Sequence, residues 1–141
     1  MNAFDIELIQ ARLREPQFNF EVVEGAAEYA AIKDLPSFRA GSLYVVLINE
    51  SGQGVTARSR VVQVTFGVIS AAKNAKDARG EAAMRDAKQL ISRVRSALMG
   101  FIPKGCTPIA WEEGSIQDYD RSHILWADAF STTYVMGASN G

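Results

Sequence analysis

The sequence predicts an α+β fold: a mostly antiparallel β-sheet covered by a long helix (about 81–99), with an N-terminal helix and a short helix beside it. Three observations carry this. From Glu81 onward, Ala83, Ala87, Leu90, Ile91, Val94, Ala97 and Leu98 recur at helical spacing, and Arg85, Asp86, Lys88, Gln89, Arg93 and Ser96 fill the other side. From Arg60 to Ser70 the pattern switches to a period of two, with Val62, Val64, Phe66 and Val68 against Gln63, Thr65 and Gly67. The elements then read α, β, α, β, β, α, β, β, with long strands joined by short connections, which favours antiparallel pairing and segregated helices.

Each element has its own signature. Phe4, Leu8, Ile9 and Leu13 mark a helix over Asn2–Arg14, with Asn2 as cap, Asp5 in the first turn and Pro16 beyond the exit. Phe18–Val23 predicts a short strand and the alanine-rich Gly25–Lys33 a short helix, ended by Pro36. Ser42–Asn49 is almost wholly apolar and reads as a central strand buried on both faces. Glu50–Ser59, polar with two glycines, predicts a mobile hairpin loop. Gly100 suits the C-terminal cap of the long helix and Pro103 forbids its continuation. Thr107–Glu113 predicts a strand, the polar run "EGSIQDYDRSH" (Glu113–His123) a turn region, and Ile124–Val135 a last long strand.

The totals bound what such a chain can do. Its 141 residues suit one domain over 1–141, long enough to bury roughly 70% of the unfolded surface without a staple. Fifteen basic and 16 acidic side chains leave a net charge of -1, without the basic excess that direct nucleic-acid recognition draws on. The basic cluster Arg85, Lys88, Arg93 and Arg95 reads as a solvated helix face. Asp5 and Glu7 stand where a signal peptide has an unbroken apolar run, and no apolar run is long enough to span a bilayer, so a cytoplasmic product without membrane contact is expected.

No constellation of reactive groups emerges. Cys106 and His123 are the sole residues of their types, too few N and S donors for a zinc site. A Cys106–His123 dyad across a hairpin lacks an evident orienting partner. Glu112 and Glu113 are adjacent, which on a regular strand sends them to opposite faces. Gly52-Gln53-Gly54 has none of the rest of a dinucleotide fingerprint. Trp126, Phe130 and Tyr134 share one strand face and, without interleaved basic residues, read as core or interface; Trp111 joins them as an aromatic in the same region. The expectation is no enzyme, no cofactor and no metal.

Four segments together resemble the tail terminator, or tail completion, family of long-tailed bacteriophages. They are the opening helix "AFDIELIQARLRE", the lead-in and strand "DLPSFRAGSLYVVLI", the strand–break–helix unit "VVQVTFGVISAAKNAKDARGEAAMRDAKQLISRVRSALMGF", and the closing aromatic strand "ILWADAFSTTYV". Phe101 stands where family members often carry a Trp before the proline. The resemblance implies a structural protein of the phage or prophage virion tail, assembled in the bacterial host cytoplasm. It would form a ring, expected as a hexamer, on the last ring of the tail tube. There it would end polymerisation and provide the surface for head–tail joining, with the tail tube protein and a head–tail connector protein as partners. Another neck or tail connector component of similar fold, or a small α+β binding module, is the alternative.

A ring needs head-to-tail contacts between unlike patches of each subunit. Gln53, Val55, Thr56 and Arg58 in the hairpin loop are the expected subunit or tube contacts. The polar break, with Lys73, Lys76 and Arg79, is a second expected surface.

Overall fold

The computed structural model describes residues 3–54, 56, 58–73 and 81–137, apart from the side chains of 81–83. The chain folds as helix α1 (Glu7–Leu13), strand β1 (Val22–Gly25), helix α2 (Ala26–Ala31), strands β2 (Ser42–Gly54) and β3 (Ser59–Lys73), helix α3 (Glu81–Leu98), and strands β4 (Ala110–Tyr119) and β5 (His123–Gly137). The five strands form one sheet in the order β1-β2-β3-β5-β4. Only β1–β2 is parallel; the other pairings are antiparallel. This is the α+β fold the patterning predicts, with the same element order.

The two faces of the sheet are covered unequally. Phe66 and Val68 of β3, with Leu43, Val45 and Phe130, meet Leu90, Val94, Ala97 and Leu98 of α3 and Ile9 and Leu13 of α1. Phe66 stacks between Phe4 and Phe130 at centroid distances of 6.4 and 5.6 Å. On the other face, Tyr44, Ile69, Ala71 and Leu125 pack under Phe38 and the flanking Tyr29 and Ile32. This cover reaches one end of the sheet only, so Ile48 of β2 is exposed. Ser42–Asn49 is therefore not buried throughout: burial is strong over Ser42–Val45 and fades beyond. The middle strand is β3, buried on both faces from Phe66 to Ala72.

Several boundaries differ from the sequence expectation for identifiable reasons. Asn2 lies outside the described residues, and α1 begins at Glu7, whose N–H donates to the Asp5 carboxylate at 3.0 Å. The strand expected at Phe18–Val23 is displaced to Val22–Gly25. Pro16–Phe18 instead forms a 3-10 turn, closed by Asn19 at φ +56°. Arg12 holds Phe18 there. Its guanidinium lies 4.6 Å from the Phe18 ring and 4.5 Å from Phe101, while Nε donates to the Ala97 carbonyl in the last turn of α3. Gly100 sits at φ +82°, the left-handed conformation expected of a C-terminal cap. The polar run Glu113–His123 is mostly strand, since β4 continues to Tyr119 along β5.

One buried carboxylate ties β4, β5 and α3 together. Asp128 is 2% exposed and accepts two bonds from Arg95, Nε to Oδ2 at 2.9 Å and an Nη to Oδ1 at 2.8 Å. The indole N–H groups of Trp111 and Trp126 donate to the same Oδ1 at 3.1 and 2.9 Å. Hydrogen bonding to Asp128 holds the Arg95 guanidinium above its already high ordinary pKa. Gly114 faces this cluster across the ladder. A Cβ there would stand 2.6 Å from Asp128 Oδ1 and 2.7 Å from the Trp126 ring.

Asp128→Asn leaves Arg95 without its counter-charge. It is expected to lower stability by about 2–4 kcal/mol, less than for a fully buried pair because Arg95 still reaches water. Gly114→Ala is expected to cost about 1–3 kcal/mol by crowding the same atoms. Urea unfolding of both single variants and the double variant should give a less than additive loss, because both changes disturb one network.

Candidate assembly surface

The expected contact loop is shorter than its composition suggests. Strand β2 runs through Gly54 and β3 starts at Ser59, so the turn is confined to residues 55–58. The ladder continues through Glu50↔Val64, Gln53↔Val61 and Gly54↔Arg60, and β5 backs β3 as far as Ser59↔Gly137. A three-stranded tip satisfies the backbone polar groups that an isolated hairpin would leave to water. Thr56 organises the turn: its N–H donates to the Ser59 carbonyl, and its Oγ1 accepts from the N–H groups of Arg58 and Ser59 at 3.2 and 3.0 Å.

The hairpin projects. β1 covers the outer edge of β2 only at Ser42–Val45, so among the described residues Val46–Gly54 has no strand beside it on that edge. That free stretch is roughly 25 Å long at the usual strand rise. Gln53 on this stretch and Thr56 and Arg58 in the turn beyond it are all exposed; Val55 lies outside the described residues. At its base, the Glu50 carboxylate accepts from the Tyr134 hydroxyl at 2.7 Å and from the Phe4 N–H at 3.4 Å, anchoring the hairpin to β5 and to the segment before α1. Nothing in the sequence signals this anchor, because Glu50 sits in a polar run and Tyr134 among aromatics.

The second expected surface is elsewhere. Lys73, exposed, ends β3 about 45 Å along the strand from its start near Arg58. Lys76 and Arg79 lie outside the described residues. The basic cluster on α3 is only partly a solvated face. Arg95 is committed to Asp128, and Arg93 donates to the carbonyls of Phe18 and Asn19 at 2.9 Å with its guanidinium over the Phe20 ring.

The candidate reactive groups are not brought together. Cys106 bridges to Tyr134, while His123 begins β5, about 35 Å away along the strand. Burial pushes the Cys106 thiol pKa up, which disfavours the thiolate. His123 Nδ1 instead sits 2.7 Å from the Asp120 carboxylate. That carboxylate also accepts the Ser122 and His123 N–H bonds and is held below its usual range, chiefly by the Ser122 N–H. The expected strand alternation of Glu112 and Glu113 is broken by a register shift between Trp111 and Glu113, and Glu112 accepts a bond from Ser131 at 2.6 Å. Among the described residues, no group of three or more potential metal ligands converges. No helix among the described residues is long and apolar enough to cross a membrane.

The Tyr134 phenol is pushed up to about 12, first by burial and then by its bond to Glu50. A raised phenol pKa means that the fold favours the neutral form. This contribution is whole below about pH 10, the ordinary tyrosine value, and is lost as pH rises through about 12. Tyr134→Phe is expected to lower stability at neutral pH by about 1–2 kcal/mol. It should also flatten the loss of stability between about pH 10 and 12, read by denaturant unfolding across that range.

No curated protein matches the chain. Among solved structures, a chain from one titled "Virion of native gene transfer agent (GTA) particle" superposes with a TM-score of 0.51, at 19% identity and covering 92% of each chain. At that identity the likeness speaks to the fold. The family model described as phage tail terminator protein matches residues 1–140, so the four-part resemblance extends to the whole pattern of the chain. The protein therefore belongs to the phage tail terminator family, a structural component of the phage virion tail rather than an enzyme.

Proposed function

We propose that this protein caps the tail tube. A ring of copies, expected as a hexamer, sits on the last ring of tube protein, ends its polymerisation and presents its other side to a head–tail connector protein. The observation that carries this reading is the family match over residues 1–140, and the projecting β2–β3 hairpin agrees with it. A hairpin free along one edge and braced at its base suits a part that reaches a neighbour without folding anew. Gln53, Val55, Thr56 and Arg58 are assigned to that contact. Lys73, at the opposite end of β3, is assigned to a second one together with Lys76 and Arg79.

Deleting the gene in the phage or prophage that carries it is expected to yield overlong, headless tails of variable length by electron microscopy. Normal-length tails joined to heads would refute the cap. Normal-length tails without heads would instead identify a neck or joining component.

A further inference from the structure

The sheet has a second open edge, and its chemistry complements the hairpin. β4 is the terminal strand on the far side, so the outer edge of Ala110–Tyr119 is unpaired among the described residues. This strand carries Glu112, Glu113 and Asp118 and no Lys or Arg. All three acids are exposed, and none makes an ion pair among the described residues. The hairpin tip, Gln53–Val62, carries Arg58 and Arg60 and no acid. Both arginines are exposed without an ion pair among the described residues, and Arg60 lies across Gly54 at the tip.

Each edge also shows apolar surface of the kind that interface centres bury. On β4, Trp111, Ile116 and Tyr119 are exposed large side chains. On β2, Leu47 and Ile48 are likewise exposed. By register, Trp111 and Ile116 stand opposite Phe130 and Trp126, and Leu47 opposite Phe66, so these three share the α3 side of the sheet.

We infer that the acidic open edge of β4 in one copy seats the basic β2–β3 hairpin of the next copy. This deepens the ring reading and rests on it. The two surfaces lie at opposite edges of one sheet, so each contact leaves one hairpin and one β4 edge free, and the contact repeats in one direction until a ring closes. Charge also selects the partner: β4 against β4, or hairpin against hairpin, sets like charges together. An acidic edge blocks unselected strand pairing in the same way.

The test is a charge swap, scored by complementation of the gene-deleted phage with tail length as the readout. Glu113→Arg/Asp118→Arg makes both surfaces basic, and Arg58→Glu/Arg60→Glu makes both acidic. Circular dichroism of each purified variant checks that it folds. Each double variant alone is expected to give at least about tenfold fewer length-controlled particles than wild type. Co-expressing the two should restore control, because copies can alternate around an even-membered ring, and a single chain with all four substitutions should also restore it. Wild-type activity of both double variants, or folded variants that fail singly and stay inactive together, would overturn this contact while leaving the cap reading intact. If the wild-type gene has no effect on tail length, the cap reading itself falls, and this contact falls with it.

Discussion

The organisation of this protein hangs on the buried Asp128 carboxylate. A charge taken out of water is costly unless its lone pairs are filled, and here three different elements fill them. Arg95 comes from α3, Trp111 from β4, and Trp126 from two residues earlier on β5. β4 has only one strand neighbour, so ladder bonds alone leave its tilt and depth weakly specified. The indole of Trp111 bonding to Asp128, with the Arg95 guanidinium 4.8 Å above its ring, fixes β4 against the helix layer. Gly114 makes this possible by leaving the space a side chain would fill. The open acidic edge is thus held in a defined place by a polar cluster behind it.

Arginine plays the same part elsewhere around the C-terminal end of α3. Arg12 satisfies the Ala97 carbonyl, lies against Phe18 and Phe101, and joins α1, the Pro16–Phe18 turn and the helix stop in one contact. Arg93 closes the adjoining loop through the carbonyls of Phe18 and Asn19. A planar guanidinium can stack on a ring and donate in its own plane at once, which an ammonium cannot do. Side chains that composition counts as surface charge therefore act as joints between layers.

What was legible in the chain follows from how strongly each segment is buried. α3 and β3 were readable because each packs a long face against a continuous layer, and burial imposes a period on sequence. Gly100 and Pro103 were readable because backbone geometry restricts those sites to few residues. The far half of β2 and most of β4 were not readable as strands. Both are exposed edges, where polar side chains are acceptable on both faces and pairing is decided by the neighbouring strand. "EGSIQDYDRSH" has the composition of a turn and the conformation of an edge strand for that reason. The β2–β3 turn falls inside the polar run that predicted a hairpin loop, yet its bracing through Glu50, Tyr134 and Phe4 comes together only in the folded sheet.

The placement of β3 between β2 and β5 also has a kinetic side. β2 and β3 are neighbours in the chain and can zip from their turn, whereas β3 and β5 pair residues as distant as Ser59 and Gly137. Loop-closure entropy delays such distant pairings, so the hairpin is expected to form early and β5 to dock late, with α3 formed in between. Pulsed hydrogen exchange would read this order as β2–β3 amides protected ahead of those of β5. Until β5 arrives, the Val61–Ala72 edge, the most apolar strand of the chain, is open to any other strand that meets it. The chain thus passes through a stage at which a core edge is on offer, and the time β5 takes to dock sets how long that edge stays open to aggregation.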